Sequence, residues 1–328
     1  MKILVVGHDA VTELLTLSAC IPVMRETLIA VSRGEGHQPL RSKVAPPGLD
    51  GFLGLMPGYI GGGAPALGIK MLGIYPGNSK IGKDSHQGAI LLLDPATGEA
   101  EALVNATAIT SVRTAAVSAL ATDVLARPDA TELAVIGTGF QAQWHVRAIA
   151  AVRPLTAVRL TGRDETRGRE VAAQLTADVG VPVEFVADPA QAVRGALIVV
   201  TATTSSTPVL ERGWLAPGAH VNAVGACLPK DRELDTATVT ESRFVVDRRE
   251  SALAESGDYL IAAAEAGFGP ERIAAELGEI LGGTVAGRTA DDELTVFESL
   301  GLAVEDLAAA RYVCAVSSGT GHGSTVEF

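Results

Sequence analysis

The side chains of this chain best placed to do chemistry are a few cations set among apolar residues. Lys70 lies inside the run Ala66-Leu67-Gly68-Ile69-Lys70-Met71-Leu72-Gly73-Ile74. A lysine in such a run is commonly a strand-edge residue whose stem covers apolar surface while the ammonium reaches water. Held partly buried, it would instead pair with a substrate carboxylate or donate a proton, because desolvation lowers its pKa toward the working range. Arg113 stands near the start of a helical segment, one turn from Ile109 and Val117, so its guanidinium leaves an otherwise apolar face. Its planar fork can clamp a carboxylate through two hydrogen bonds. Arg41 is a second candidate clamp, although an arginine on a strand is more often a surface residue. His86, in Asp84-Ser85-His86-Gln87, is a lone histidine and by itself more often structural than catalytic. Cys227, in Asn222-Ala223-Val224-Gly225-Ala226-Cys227, follows a strand, where a thiol is as readily a packing residue as a reactive one.

The strongest local signal is ELAVIGTGFQAQWH over 132–145. An apolar run feeds Gly137-Thr138-Gly139-Phe140-Gln141-Ala142, the pattern of the turn that carries a dinucleotide's pyrophosphate in a Rossmann unit. Gly137 permits the tight turn, Gly139 lets a phosphate approach the backbone, and small Ala142 lets helix and strand pack closely. Amides at the start of the following helix face the anion. A glycine-rich turn can also simply end a strand, but here strand and helix signals flank it, and the chain reads as an oxidoreductase. The end of the second Rossmann strand selects the cofactor. It falls on Thr161-Gly162-Arg163, where Gly162 replaces the acid that would hold an NAD ribose, and Arg163 with Arg167 could bind a 2′-phosphate. NADP(H) is therefore preferred and NAD(H) stays open; in the alternative, the arginines are solvated and Asp164 serves the ribose hydroxyls.

The elements that must position these groups fall into two styles. Residues 18–33, with Ser18 as cap, read as one early helix, followed by strands at 40–45, 52–56, 66–74, 88–93 and 100–104 with turn chemistry between them. Residues 107–127 hold no Gly or Pro and form a helix linking two domains. Beyond Thr131, strands at 132–136, 156–161, 183–187, 196–201, 219–224 and 244–247 alternate with helices at 140–152, 164–179 and 189–194. Further helix is expected near 249–266 and 270–278, and a last helix over 302–317 follows the loop DDELTVFESLG and packs back on the first domain. The tail GTGHGSTVEF reads as frayed. The fold class is α/β: a Rossmann dinucleotide-binding domain plus an N-terminal mixed α/β domain completed by the C-terminal helix.

The chain has 328 residues, 47% hydrophobic and 4% aromatic, enough for two domains with aliphatic cores. A net charge of −12 argues against a nonspecific nucleic-acid surface. The start MKILVVGHDA is too short in apolar residues for a leader, and no later run reads as a membrane span, so a cytoplasmic protein is expected. Cys20, Cys227 and Cys314 are scattered, with neither disulfide nor zinc spacing, and no metal is expected.

Taken together, LMPGY at 55–59, GIKML at 68–72, SHQGAILLLDPATGE at 85–99, ITSVRTAAVSALAT at 109–122, the GTGFQAQWH turn, TATTSSTPVL at 201–210, NAVGACLPKDRELD at 222–235 and DDELTVFESLGLAVEDLAAA at 291–310 resemble the ornithine cyclodeaminase/mu-crystallin family across nearly the whole chain. The resemblance implies a homodimer, with residues 1–120 plus 302–328 forming the substrate-binding and dimerisation domain and 121–301 the NAD(P)-binding Rossmann domain. It implies that Lys70, Arg113 and Arg41, with Met56, surround an amino- or imino-acid carboxylate, and that Lys70 or a water ordered by His86 is the proton source. It places Ser85, Thr114, Thr201, Ala202, Thr203, Val224, Gly225, Cys227 and Ser299 along the cofactor, beside the turn residues, Gly162, Arg163 and Asp164. Cyclodeaminases of the family carry an aspartate at the position of Cys227, and a neutral thiol cannot manage the amine proton of ring closure. The expected activity is therefore NAD(P)H-dependent reduction of a carboxylate-bearing imine, such as a cyclic ketimine, or reductive amination of a small 2-oxo acid as in alanine dehydrogenase-like members. An ornithine cyclodeaminase-type lyase and a non-enzymatic, crystallin-like ligand-binding protein are the alternatives. Asn105, where many relatives have an acid, is a further departure.

Overall fold

The computed structural model describes residues 2–81, 83 and 85–327. It divides into two compact units, Met1–Arg113 with Gly301–Phe328, and Thr114–Leu300. The chain opens with β1 (Lys2–Val6), α1 (His8–Leu14) and α2 (Leu17–Ser32). The apolar start is thus a strand in its own right, and Thr16 rather than Ser18 caps α2, accepting from the Ala19 amide. Next come β2 (Gly36–His37), β3 (Ser42–Val44), β4 (Phe52–Ile60), β5 (Ala66–Ile74), β6 (His86–Leu93), β7 (Ala100–Asn105) and α3 (Ala106–Leu125).

The second unit runs β8 (Glu132–Ile136), α4 (Phe140–Val152), β9 (Ala157–Thr161), α5 (Glu165–Val179), β10 (Val183–Phe185), α6 (Pro189–Val193), β11 (Ile198–Thr201), β12 (His220–Ala223), α7 (Thr236–Glu241), β13 (Arg243–Val246), α8 (Arg249–Glu255), α9 (Gly257–Ala266), β14 (Ile273–Glu276), α10 (Leu277–Leu281) and β15 (Thr295–Glu298). The chain then returns to the first unit through α11 (Ala303–Thr320) and β16 (Ser324–Glu327).

In the first unit the sheet order is β16-β1-β7-β6-β5-β4-β2, with β3 also on β4. Its strands are antiparallel except for the β1–β7 pair. α11 lies over β4, β5 and β6 and against α2, which makes it the lid of this unit's core. Its approach depends on missing side chains: a Cβ on Gly58 would stand 3.3 Å from Ala303 Cβ, and one on Gly68 would stand 3.1 Å from Leu307 Cδ2. The second sheet is wholly parallel, in the order β10-β9-β8-β11-β12-β15-β13-β14. The order reverses between β8 and β11, the topological switch point at which open α/β sheets bind ligands.

Further expectations need correction. Residues 270–278 are not a helix: Ile273–Glu276 pairs with β13 as an edge strand, and only Leu277–Leu281 is helical. The stretch DDELTVFESLG is not only loop, since Thr295–Glu298 is buried between β12 and β13, a strand too short and too enclosed to show alternation. The tail is not frayed over Ser324–Glu327, which adds antiparallel to β1. Finally, α3 is, by length and composition, long and apolar enough to cross a membrane, but most of it is buried inside the fold, as the core helix of a packed domain would be.

Candidate active site

Lys70 stands in β5, flanked on both sides by strands, on the face it shares with buried Ala66, Gly68 and Leu72. Only 1% of it is exposed, so it does not snorkel. Its ammonium donates to Asp306 Oδ1 at 2.8 Å. The same oxygen accepts from Arg113 Nε at 3.0 Å, while Arg113 Nη1 donates to Glu305 Oε2 at 2.7 Å. Glu305 also accepts from the Leu302 amide, which ties the first turn of α11 to the cluster. Burial pushes the Lys70 pKa down to about 8, Asp306 opposes that shift, and Arg113 and Arg41 reinforce it. Among the described residues Asp306 Oδ1 is the one acceptor for Nζ, leaving two of its three N–H donors unfilled.

Arg41 reaches the same neighbourhood: its Nη2 donates to the Gly301 carbonyl at 3.3 Å. Gly301 adopts φ +79°, and a Cβ there would lie 2.5 Å from Arg113 Nη1, so only glycine lets this turn pass between the two arginines. Met56 is the direct cross-strand partner of Lys70. His86 is not brought to Lys70. It pairs with Ile74 while Lys70 pairs with Ile90, four residues along β6, which is about 13 Å. Its Nδ1 is 2.9 Å from Ser85 Oγ. Asp306 and Glu305 are the residues that sequence reasoning missed. Two acids in the first turn of a helix look like ordinary dipole partners, and only the packing of α11 shows them as buried counter-ions.

In the second unit, Gly137 has φ +131°, and a Cβ on it would collide with the Ala202 carbonyl at 2.4 Å. Gly139 is the N-cap of α4 with no side-chain cap, and the space where its Cβ would project is open. Ala142 is fully buried under β8 while Thr138, Gly139, Phe140 and Gln141 lie at or near the surface. The N-terminus of α4 thus stands at an open glycine turn, where helix amides point toward an anion, and the residues present fit a dinucleotide pyrophosphate. Gly162 lies beside this turn, since a Cβ there would stand 2.8 Å from Thr138 Cγ2. Asp164 caps α5, accepting from the Arg167 amide at 3.0 Å. Arg163 and Arg167 are exposed, and among the described residues neither guanidinium has an ion-pair partner. Thr114, just inside this unit on α3, is buried.

The structure brings together Thr201, Ala202, Thr203, Val224, Gly225, Cys227 and Ser299 at the carboxyl ends of β11, β12 and β15. The Val224 amide donates to the Thr201 carbonyl, and the Ser299 amide to the Ala223 carbonyl. Glu233, another residue the sequence did not single out, braces two of these turns. Its Oε1 accepts from the Thr203 amide and its Oε2 from the Gly225 amide, both at 2.6 Å, and from the Thr201 hydroxyl at 2.8 Å. The Cys227 thiol donates to the Val224 carbonyl at 3.3 Å and lies 3.8 Å from the Ser299 carbonyl. Among the described residues no cluster of metal-ligating side chains occurs.

A parallel sheet with this strand order and a capless glycine turn after its first strand defines a dinucleotide-fold protein with a separate cation-bearing unit. The ornithine cyclodeaminase/mu-crystallin family model matches residues 1–320, and the chain belongs to that family. It is 38% identical over 299 residues to ketimine reductase mu-crystallin of Mus musculus, covering 90% of this chain and 91% of the relative. It is 40% identical over 267 residues to a Δ1-pyrroline-2-carboxylate reductase of Bacillus cereus, covering 81% and 82%. The structure of Thermococcus litoralis Δ1-pyrroline-2-carboxylate reductase in complex with NADH and L-proline superimposes with a TM-score of 0.95 at 33% identity, over 99% of this chain and 100% of that one.

Proposed function

We propose that this protein is an NAD(P)H-dependent reductase of imines that carry a carboxylate next to the carbon–nitrogen double bond, with a five- or six-membered cyclic ketimine as the substrate type. The observation that carries this reading is the buried Lys70 ammonium with two unfilled donors, beside Arg113 and Arg41. A buried cation with unused donors is a receptor for an anion. Family membership and the named reductases among its relatives support the same reaction class.

A reduced nicotinamide bound through the Gly137–Ala142 turn would supply the hydride. The new C–H bond forms at the imine carbon, the carbon–nitrogen π pair moves to nitrogen, and nitrogen takes up one proton. Lys70, Arg113 and Arg41 hold the carboxylate and so fix the orientation of that carbon. Lys70, with its pKa lowered by burial to about 8, is the proton donor suited to this step. The cofactor reading favours NADPH, because Gly162 removes a repelling carboxylate and Arg163 stands exposed beside it. A homodimer through the first unit is part of the proposal: Leu40, Val44, Leu49 and Leu53 are large apolar residues left exposed there. The lyase alternative is disfavoured at Cys227, because a carboxylate placed where the thiol donates would face two backbone carbonyls.

The test is a panel of cyclic imino acids and of 2-oxo acids with ammonia or methylamine, assayed with NADPH and NADH at the nicotinamide absorbance. Oxidation of the dinucleotide with a carboxylated cyclic imine is expected. Ammonia release from ornithine with no added cofactor would overturn the reading in favour of a lyase.

A further inference from the structure

A fully buried carboxylate, that of Asp306, is packed against the Lys70 ammonium. Asp306 is 0% exposed, and one of its oxygens accepts from both Lys70 Nζ and Arg113 Nε. Its other oxygen, Oδ2, is buried without a hydrogen-bond partner among the described residues. An anion set this way is costly for stability alone, since a carboxylate in the interior loses its hydration and here has only half its acceptor capacity filled. A structural ion pair would be expected to saturate both oxygens.

We propose that Asp306 is a positioning residue for the reductase chemistry: through its one shared oxygen it fixes Lys70 and Arg113 as a rigid pair, and its charge keeps Lys70 protonated until the proton is needed. The proposal rests on the reductase reading for its meaning, although its physical core concerns Lys70 alone.

Every element packed around Lys70 contributes to the balance. α11 brings the carboxylates of Asp306 and Glu305, α3 brings Arg113, and the segment before β3 brings Arg41. From α2 comes the Cys20 thiol, which burial pushes well up, so that it stays neutral. The neighbouring strands place Met56 and Ile90 opposite Lys70, and neither carries charge. Desolvation and two guanidinium groups thus favour the neutral amine, and Asp306 makes the direct hydrogen bond that opposes them. Neutralising Asp306 removes that counterweight while leaving a side chain of the same shape. The ammonium then loses its proton at lower pH, and the donor for the nitrogen of the reduced imine is absent over part of the working range.

The experiment compares wild type with Asp306→Asn and Asp306→Glu in the full chain. The readouts are the pH profile of kcat/KM for 1-pyrroline-2-carboxylate reduction, and the titration of Lys70 in lysine-labelled protein by NMR, assigned with Lys70→Met. In Asp306→Asn the alkaline limb and the Lys70 titration are both expected to move to lower pH by about one unit or more, the size of effect a contacting opposite charge produces. A purely structural role would scale the profile down without moving its limb. Should Asp306→Asn fail to fold, Asp306→Glu carries the test, since displacing the carboxylate by one methylene weakens the bond to Nζ and must move the limb the same way by less. A limb and a Lys70 titration that coincide with wild type in the folded variants would overturn the proposal. If wild type reduces no imine, it is the functional reading that fails, and the NMR titration still decides the role of Asp306.

Discussion

Lys70 occupies a strand position that would ordinarily hold a Val or Ile, and its neighbours explain how the chain tolerates it. Its ammonium shares Asp306 with Arg113, so removing Lys70 leaves Asp306 still paired. Lys70→Met, which keeps most of the stem, and Arg113→Lys, which keeps charge but loses the planar fork, should therefore both fold. Each is expected to lower kcat/KM for a carboxylated imine at least about 100-fold, roughly 3 kcal/mol, Lys70→Met through the loss of a buried charge partner and Arg113→Lys through the loss of the bidentate geometry, with dinucleotide affinity unchanged. Steady-state kinetics beside a cofactor titration reads both. If Arg163 meets the 2′-phosphate as proposed, Arg163→Ala should weaken NADPH binding and leave NADH untouched, because only the former carries that group. Calorimetric titration of both cofactors checks this; equal effects would assign the ribose to Asp164, which at present caps α5. Lys70, Arg113, Arg41 and the glycine turn were legible because a cation or a glycine in an apolar run breaks a local pattern. Asp306, Glu305 and Glu233 were not, since an acid in a helix turn or a polar loop is ordinary until its distant partner is known.

At the scale of elements, β8 and α4 were readable to the residue because a buried strand, a glycine turn and an amphipathic helix reinforce one another locally. β14 and β15 were not, since each has four residues and is defined by the neighbours it pairs with rather than by its own periodicity. The span 249–266 is broken at Ser256, whose side chain accepts from the Tyr259 amide and starts a new helix. The turn before α4 gives the sharpest prediction at this scale. Gly137→Ala combines a φ of +131° with a Cβ 2.4 Å from the Ala202 carbonyl, so the β8–α4 turn must open. Dinucleotide affinity should fall at least about tenfold while the Lys70 cluster, in the other unit, keeps its geometry. Fluorescence titration of NADPH decides this, and an unchanged dissociation constant would remove the turn from the binding site.

At the scale of the whole molecule, the Rossmann-type unit buries Glu233, Asp247, Asp258 and Glu298, acids drawn from distant parts of the chain. Burial raises Asp258 to about 7 and pushes Glu298 well above the ordinary carboxylate range, with Asp258 and Glu298 each exposed to the other charges of the group. A carboxyl whose folded pKa is raised contributes stability that is complete below its unfolded pKa of about 4 and is lost as pH rises through the folded value. Glu298→Gln removes that loss. The melting temperature of the variant relative to wild type should therefore rise from pH 5 to pH 8, by about 2 °C or more, as thermal unfolding at several pH values would show. A difference independent of pH would mean that Glu298 is not protonated in the fold. The division of labour between the two units nevertheless stands on one chemical claim, that hydride ends on the carbon of an imine. Incubating the enzyme with 1-pyrroline-2-carboxylate and NADPH deuterated at the transferable position, then weighing the product by mass spectrometry, measures it directly. The expected product is an amino acid with one deuterium on the carbon bearing the carboxylate, formed with an equal amount of oxidised dinucleotide. A product without deuterium, or ammonia released from ornithine with no net oxidation of the dinucleotide, would overturn that claim.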